Sequence, residues 1–143
     1  MAITVRSMLR NKGLQVWSVS PQATILDALH LMAEKQIGAV LVLDNERLVG
    51  IFSERDYARR GVLQDRGVDA KIDEVMTSPV SAISPDRSVE DCLAIMNDHH
   101  FRHLPVFENG KVMGVVSIGD VVKSLIDDQR ATISGLENYI MGR

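Results

Sequence analysis

Two clusters with the spacing Gly-x-x-Ser-x-x-Asp carry the residue types best suited to chemistry in this 143-residue chain. Their members are Gly50, Ser53, Asp56 and Gly114, Ser117, Asp120. Each cluster lies where an apolar, strand-like run changes to a helix-like one, and the N–H groups and dipole of a helix start favour a phosphate. A serine hydroxyl can add a hydrogen bond, and a carboxylate can accept both hydroxyls of a ribose. The pattern therefore indicates a nucleotide better than a bare phosphate.

The same spacing also has a purely structural explanation. Ser-x-x-Asp is a capping box, in which the serine and aspartate side chains satisfy backbone N–H groups at the start of a helix. The chain uses this spacing at Thr24-x-x-Asp27, where no strand precedes it directly. Spacing alone does not decide between a cap and a ligand site.

The two clusters end two copies of one repeat. Residues 18–57 match residues 82–121 at a constant offset of 64, without a gap. Identical pairs fall on apolar faces, turns and the polar cluster; they include Ser20/Ser84, Pro21/Pro85, Asp27/Asp91, Met32/Met96 and Val42/Val106. A repeat of this size is one supersecondary unit, and two copies usually bury their faces on each other. The duplication predicts two related sites about a pseudo-twofold axis.

Each copy has the pattern strand, helix, strand, turn, strand, helix, which predicts an α+β fold of β-α-β-β-α units. The expected elements are strands at 16–19 and 80–83, helices capped at Thr24 and Ser88, buried strands at 39–43 and 104–107, turns at 44–47 and 108–111, strands at 48–52 and 112–116, and helices from Ser53 and Ser117. Residues 71–76 are expected to begin the second copy after a polar link. The second helix of copy two continues into a tail.

Bulk composition bounds the function. A hydrophobic content of 45% supports one real core, and a net charge of -3 without a basic block argues against a nucleic-acid or polybasic membrane role. The longest apolar run, 37–43, is too short to span a bilayer, and the N-terminus does not resemble a signal peptide. We therefore expect a cytoplasmic protein. The single cysteine, Cys92, is on a helix face and is expected to be an inert core thiol.

Two further features leave alternatives open or argue against a role. The tail carries an apolar helical stripe that packs either on another subunit or back on its own domain; it comprises Val122, Leu125, Ile126, Ile133, Leu136 and Ile140. His99, His100 and His103 lack the converging geometry and the cysteine or carboxylate partners usual for zinc, so we expect no metal. No cysteine–histidine or serine–histidine pair stands at a spacing that suggests catalysis.

Several motifs, in order, resemble the CBS domain. In the second copy they are Arg-His-Leu-Pro-Val, Asn-Gly and Gly-Val-Val-Ser-Ile-Gly-Asp-Val-Val; in the first, Gly-Ala-Val-Leu-Val and Gly-Ile-Phe-Ser-Glu-Arg-Asp-Tyr. The segment Val-Met-Thr-Ser-Pro-Val from Val75 is similar to the usual entry into a second CBS repeat. The chain resembles a stand-alone CBS pair, with an N-terminal segment 1–7, repeats 8–66 and 67–130, and a helical tail 131–143.

The resemblance implies that the repeats pack through their sheets into one pseudo-twofold module with two clefts for adenosyl ligands. The first cleft would take Ser53, Arg55, Asp56, Thr77, Pro79, Val80, Arg102 and His103. The second would take Lys12, Gly13, Val16, Ile37, Gly38, Ala39, Ser117, Ile118 and Asp120. In these roles aspartate binds the ribose diol, the backbone at Val80 or Val16 reads the adenine edge, and serine with the helix end binds phosphate.

The two implied clefts differ in charge. The first has Arg55, Arg102 and His103, which suit a phosphorylated nucleotide. The second has smaller or apolar residues at the matching places, so it either takes a different adenosyl ligand or draws Lys12 and Arg10 toward a phosphate.

The family resemblance implies a regulatory or sensor protein for adenine nucleotides, with AMP first and ATP, ADP, NAD(H) or S-adenosylmethionine as other candidates. It implies a homodimer with four repeats in a disc, no obligatory cofactor, and an effector protein that the sequence does not identify. The competing hypothesis is a ligand-free interaction module in which both Ser-x-x-Asp clusters are only caps. An enzyme acting on nucleotides is a third class, which we do not expect.

Overall fold

The computed structural model describes residues 3–13 and 15–141. The predicted segments 1–7 and 131–143 therefore lie partly outside the described residues. The chain forms two compact units. The first unit is Gln15–Ser81, and the second combines the described residues of Met1–Leu14 and Ala82–Arg143. Spatial units and sequence repeats need not coincide, and the predicted repeat bounds stay a prediction.

The mixed helix and strand content confirms the predicted α+β class. In chain order the elements are α1 (Val5–Lys12), β1 (Ser18–Val19), α2 (Ile25–Lys35), β2 (Ala39–Asp44), β3 (Arg47–Ser53), α3 (Glu54–Asp56), α4 (Val89–His99), β4 (His103–Glu108), β5 (Lys111–Ser117) and α5 (Ile118–Ile140). A π-helical turn, Tyr57–Gly61, follows α3, and short 3-10 turns lie at Val62–Gln64 and Ile72–Glu74.

The first unit is built on the sheet β1-β2-β3, in which β1 is parallel and β3 antiparallel to β2. Helix α2 begins at the predicted capping box of Thr24 and Asp27 and packs its apolar face on this sheet. The buried core consists of Ile25, Ala28, Met32, Val40, Val42, Phe52, Ile72 and Val75. The strand expected at 16–19 is shorter than predicted, because only Ser18–Val19 pairs as a strand.

In the second unit, β4 and β5 form an antiparallel pair, and α4 begins at the predicted capping box of Ser88 and Asp91. The strand expected at 80–83 is wrong: among the described residues it is reduced to one bridge, between Ile83 and Val106. Pro105 accounts for this difference. Its counterpart Leu41 donates its N–H to the Trp17 carbonyl, whereas proline has no N–H to donate.

The core of each unit is completed by the segment that, in the repeat pattern, precedes the first strand of the other copy. The Ile72 N–H donates to the Ala23 carbonyl at 2.8 Å in the first unit, and the Val5 N–H donates to the Arg87 carbonyl at 2.9 Å in the second. Residues 71–76 open the second copy in sequence, but in space they pack within the first unit, where Ile72 and Val75 are buried. In the same way α1 belongs to the core of the second unit.

Helix α5 has two parts with different surroundings. Near its start Val121 is buried and Leu125 packs against the core of the second unit. Farther along, Ile133, Leu136 and Ile140 are 55%, 58% and 79% exposed. The predicted stripe is thus helical, but within the described residues its distal half does not fold back on its own unit. No helix of the described residues combines the length and apolar character needed to cross a bilayer.

Candidate functional site

Both Gly-x-x-Ser-x-x-Asp clusters form capping boxes, as the structural explanation predicts. The Asp56 N–H donates to Ser53 Oγ at 3.3 Å, and the Ser53 N–H donates to Asp56 Oδ2 at 2.9 Å. In the second unit the matching distances, for Asp120 and Ser117, are 3.1 and 2.8 Å. Each serine and aspartate therefore organises the start of a helix, whatever else it does.

The turn before each middle strand supports the same junction. The Glu54 N–H donates to the Gly38 carbonyl at 3.1 Å, and the Ile118 N–H donates to the Arg102 carbonyl at 2.8 Å. Gly38 and Arg102 occupy equivalent positions, so the two repeats use the same backbone bond. This bond fixes the residues that precede β2 and β4 against the helix start of their own unit.

In the first unit a neutral hydroxyl completes the site. Thr77 Oγ1 donates to Asp56 Oδ1 at 3.0 Å, and Ser53 Oγ lies 3.1 Å from Asp56 Oδ2. Thr77 is held in place by two backbone hydrogen bonds with Ile51, of 2.8 and 3.1 Å. The Asp56 carboxylate is half-buried, and it faces a threonine that the structure positions through its backbone.

In the second unit an ammonium group completes the site. Lys12 Nζ lies 2.6 Å from Asp120 Oδ2, and it donates to the Val115 carbonyl, also at 2.6 Å. Burial alone would raise the pKa of Asp120, but the hydrogen bonds from Lys12 and Ser117 and the lysine charge together lower that pKa below its usual value. The Lys12 side chain is 37% exposed and that of Asp120 is 25% exposed.

Lys12 therefore replaces two bonds that Thr77 makes. Val115 is the counterpart of Ile51, and Asp120 is the counterpart of Asp56. In the first unit the Thr77 N–H and hydroxyl donate to that carbonyl and that carboxylate; in the second unit Lys12 Nζ donates to both. The two sites share their backbone scaffold, and the donor that faces the aspartate carries a positive charge only in the second site.

The sequence analysis predicted Lys12 as a site residue but did not predict that it takes the place of Thr77. The reason is that the gapless offset of 64 aligns Thr77 with Gly13. The equivalent backbone bonds of Val5 and Ile72 show that the offset in this segment is 67. Copy one thus has three extra residues between this segment and its first strand. The signal was present in the shared apolar spacing of Val5-x-x-Met8-Leu9 and Ile72-x-x-Val75-Met76.

The structure brings together only part of each predicted cleft. Ser53, Asp56 and Thr77 meet within the first unit, and Lys12, Ser117 and Asp120 meet within the second. The remaining predicted residues are placed as follows: Arg55 in α3, Pro79 and Val80 after Thr77, Val16 before β1, Ile37 and Gly38 before β2, Ala39 at the start of β2, Gly13 at the end of α1, Arg102 before β4, His103 at the start of β4, and Ile118 at the start of α5. Their assembly into two clefts stays a prediction.

An open cavity of about 350 Å³ lies on the first unit, beside the start of α3. Its lining residues are Leu29, Met32, Ala33, Gln36, Ile37, Gly38 and Glu54. Two of the predicted second-cleft residues, Ile37 and Gly38, are therefore accessible from this cavity. Its size is at the lower end of the range usual for small-molecule sites.

Cys92 and His99 have the surroundings of structural residues. Cys92 is buried, and burial raises the pKa of its thiol to about 11, which confirms the prediction of an inert core thiol. His99 ends α4 and stacks on Phe101 with ring centroids 5.4 Å apart. Across residues 3–13 and 15–141, no three histidine, cysteine or acidic side chains are placed to hold a metal ion.

Each of the two repeats contains a capped helix, an antiparallel strand pair and a capped strand-to-helix junction. The CBS domain family model matches residues 5–62 and 72–127, and the chain belongs to this family as a tandem CBS pair. The predicted family and fold are thereby confirmed. CBS-domain proteins are generally regulatory and non-catalytic.

Several known proteins are similar to this chain. A putative signal-transduction protein with CBS domains from Burkholderia ambifaria is 45% identical, with a TM-score of 0.85 over 88% of this chain and 96% of that one. The CBS domain-containing protein CBSX3, mitochondrial, of Arabidopsis thaliana is 30% identical over 97% of this chain and 72% of its own length. The CBS domain protein PAE2072 from Pyrobaculum aerophilum, solved in complex with AMP, is 27% identical, with a TM-score of 0.73 over 82% of this chain and 89% of that one.

Proposed function

We propose that this protein is a regulatory sensor of adenine nucleotides, with AMP as the first candidate ligand. The observation that carries the proposal is the half-buried aspartate repeated at two equivalent strand-to-helix junctions, Asp56 and Asp120. Binding of AMP by a similar CBS protein supports the choice of ligand. The protein has no catalytic role and needs no obligatory cofactor in this proposal, and its place of action is the cytoplasm.

Each aspartate is suited to a ribose diol, because it is a carboxylate held rigidly by backbone N–H groups at a capped helix start. In the first site the phosphate is bound by Arg55 and Arg102, whose guanidinium groups form charge-assisted hydrogen bonds. In both sites the adenine edge is read by backbone groups, at Val80 and at Val16. These roles follow the family resemblance, residue by residue.

Regulation requires that the nucleotide binds one conformation of the protein more tightly than another. We propose that occupied and empty sites favour different packings of the two repeats, and that an effector protein reads the difference.

Isothermal titration with AMP, ADP, ATP, NAD and S-adenosylmethionine tests the proposal directly. We expect binding of at least AMP, loss of one site in Asp56→Ala, and loss of the other in Asp120→Ala. The chain offers a matched control in Asp27→Ala, which removes the same type of capping carboxylate from the start of α2. Loss of the cap alone is expected to cost each of the three variants about 1 kcal/mol of stability, but the control keeps both sites.

The ligand-free alternative predicts a different outcome. If both clusters are only caps, nucleotide changes the melting temperature of neither Asp56→Ala, Asp27→Ala nor the wild type. Absence of binding at millimolar concentrations of all five ligands would falsify the sensor proposal. Turnover of ATP or NAD after overnight incubation would instead support an enzyme.

We also propose a homodimer, formed through the exposed part of the apolar stripe of α5. Ile126, Ile133 and Ile140 are seven residues apart; Val122, four residues before Ile126, and Leu136, three residues after Ile133, lie at the second apolar position of the same heptad pattern. These five side chains are all exposed, so a second copy of the same helix is the partner that their spacing fits best. Four CBS repeats in a disc would result.

Light scattering of the purified protein measures this assembly. We expect a dimer mass for the wild type and a monomer mass for Ile133→Lys, because a lysine at this position places a charge in the helix interface. Ala131→Lys introduces the same residue two positions away, outside the stripe, and is expected to stay dimeric. A monomeric wild type contradicts the dimer proposal and leaves the nucleotide proposal intact.

A further inference from the structure

The ion pair of Lys12 and Asp120 distinguishes the second site from the first and bears on which ligands it accepts. Lys12 Nζ is 2.6 Å from the carboxylate proposed to bind a ribose, whereas the equivalent donor in the first site is the hydroxyl of Thr77. A hydroxyl and a ribose can share a carboxylate at little electrostatic cost. An ammonium group that leaves its carboxylate must find another anion or be hydrated.

We propose that Lys12 is the specificity residue of the second site and makes it selective for phosphorylated adenosyl ligands. In the empty site Lys12 neutralises Asp120. When the ribose of a ligand engages the carboxylate, Lys12 turns to the phosphate of the same ligand. An unphosphorylated nucleoside offers no second anion, so it must compete with the lysine without compensation.

The surroundings of Lys12 make this exchange feasible. Its side chain is partly exposed, and it lies at the last residue of α1, followed by Gly13. Lysine is a compact point charge on a flexible four-carbon stem, so its ammonium group can move while the backbone stays in place. Thr77 has no comparable reach, because its hydroxyl is on a short side chain whose backbone is held by two hydrogen bonds with Ile51.

The sequence left two possibilities open for the ligand of the second site. The ion pair of Lys12 and Asp120 favours a phosphate bound with the help of Lys12 over a different, more apolar adenosyl ligand. The role of Lys12 rests on the proposed nucleotide function, because it concerns the choice among nucleotides. It further implies that occupancy of the second site weakens as salt concentration rises.

The test uses AMP and adenosine as a pair of ligands that differ only in the phosphate. Both are titrated into Asp56→Ala, which retains only the second site, and into Asp56→Ala combined with Lys12→Met. We expect Lys12→Met to weaken AMP binding roughly tenfold, the order of one charge-assisted hydrogen bond, and to leave adenosine binding unchanged or tighter. The preference for AMP over adenosine therefore falls.

Two controls keep the result interpretable. Lys12→Arg retains the charge and is expected to retain most of the preference. Lys111→Met removes the same charge from the opposite end of β5 and is expected to leave the preference unchanged. Thermal melting without ligand verifies that each variant is folded.

The outcomes separate this inference from the proposed function. If AMP binds and Lys12→Met leaves the ratio of AMP to adenosine affinity unaltered, the role of Lys12 is wrong while the sensor function stands. If Lys111→Met lowers the ratio as much as Lys12→Met, overall charge and not the pair with Asp120 sets the preference. If the wild type binds neither ligand, the function and this inference fall together.

Discussion

The two sites have the same backbone and different charges, and the contrast locates where each property is encoded. Asp56 and Asp120 occupy equivalent capping boxes. The N–H of the first residue of α3 donates to the carbonyl of the residue before β2, and that of α5 donates to the carbonyl of the residue before β4. The donor that faces the carboxylate is Thr77 in one unit and Lys12 in the other. The repeated core therefore determines the backbone of each site, while the segment that contributes Thr77 or Lys12 determines the charge beside the aspartate.

The largest difference expected between the units concerns their cores. Phe52 and Val116 are equivalent residues, and both are fully buried. Truncation of a buried phenylalanine leaves a large cavity, so Phe52→Ala is expected to cost about 3–5 kcal/mol, against about 2 kcal/mol for Val116→Ala. Urea unfolding followed by circular dichroism measures both.

The single tryptophan helps to assign these effects. Trp17 belongs to the first unit, so its fluorescence follows that unit while circular dichroism follows the whole chain. We expect Phe52→Ala to shift both signals. If Phe52→Ala lowers the free energy of unfolding no more than Val116→Ala does, the expected difference between the two cores is wrong.

The capping serines are expected to behave alike, although the helices that follow them differ. Ser53 caps the three-residue α3, and Ser117 caps the 23-residue α5. Because each cap satisfies one backbone N–H in the same geometry, Ser53→Ala and Ser117→Ala should each cost about 1 kcal/mol in nucleotide-free protein. The free energy of unfolding of each variant measures this cost. If only one of the two variants is destabilised, the shared scaffold is not equally important in both units.

Much of this scaffold could be predicted from sequence, because it depends on local patterns. Capping boxes at Thr24 and Ser88 follow from residues three positions apart, and the hairpin strands follow from apolar runs beside turns. These signals repeat in both copies, so each supports the other. The family resemblance follows from the same repeated order.

Features that depend on distant partners could not be predicted in this way. The loss of the strand at 80–83 depends on the N–H that Pro105 lacks in the neighbouring strand. The pairing of Lys12 with Asp120 joins residues more than one hundred positions apart, through a connection that departs from the gapless alignment. A pattern of residue types contains neither the reach of a lysine side chain nor the direction in which α1 ends.

The smallest expected effect, on stability, tests the charge difference itself. Lys12→Met removes a partly exposed ion pair and is expected to cost less than about 1 kcal/mol near neutral pH. The folded-state pKa of Asp120 is lowered from its ordinary value of 3.8, so the ion pair contributes fully above 3.8 and is lost as pH falls through the lowered pKa. The cost of Lys12→Met should therefore disappear in strong acid, and at neutral pH it should shrink as salt screens the pair.

Thr77→Val is the matched change in the first unit, since it removes the equivalent donor but no charge. Its cost, about 1.5–3 kcal/mol for a hydrogen bond to a carboxylate, should hardly change with salt at neutral pH, because the donor is neutral. Free energies of unfolding at low and high salt measure both variants. Equal salt dependence of the two costs would contradict the contrast between an ammonium and a hydroxyl, and with it the electrostatic basis for the selectivity of the second site.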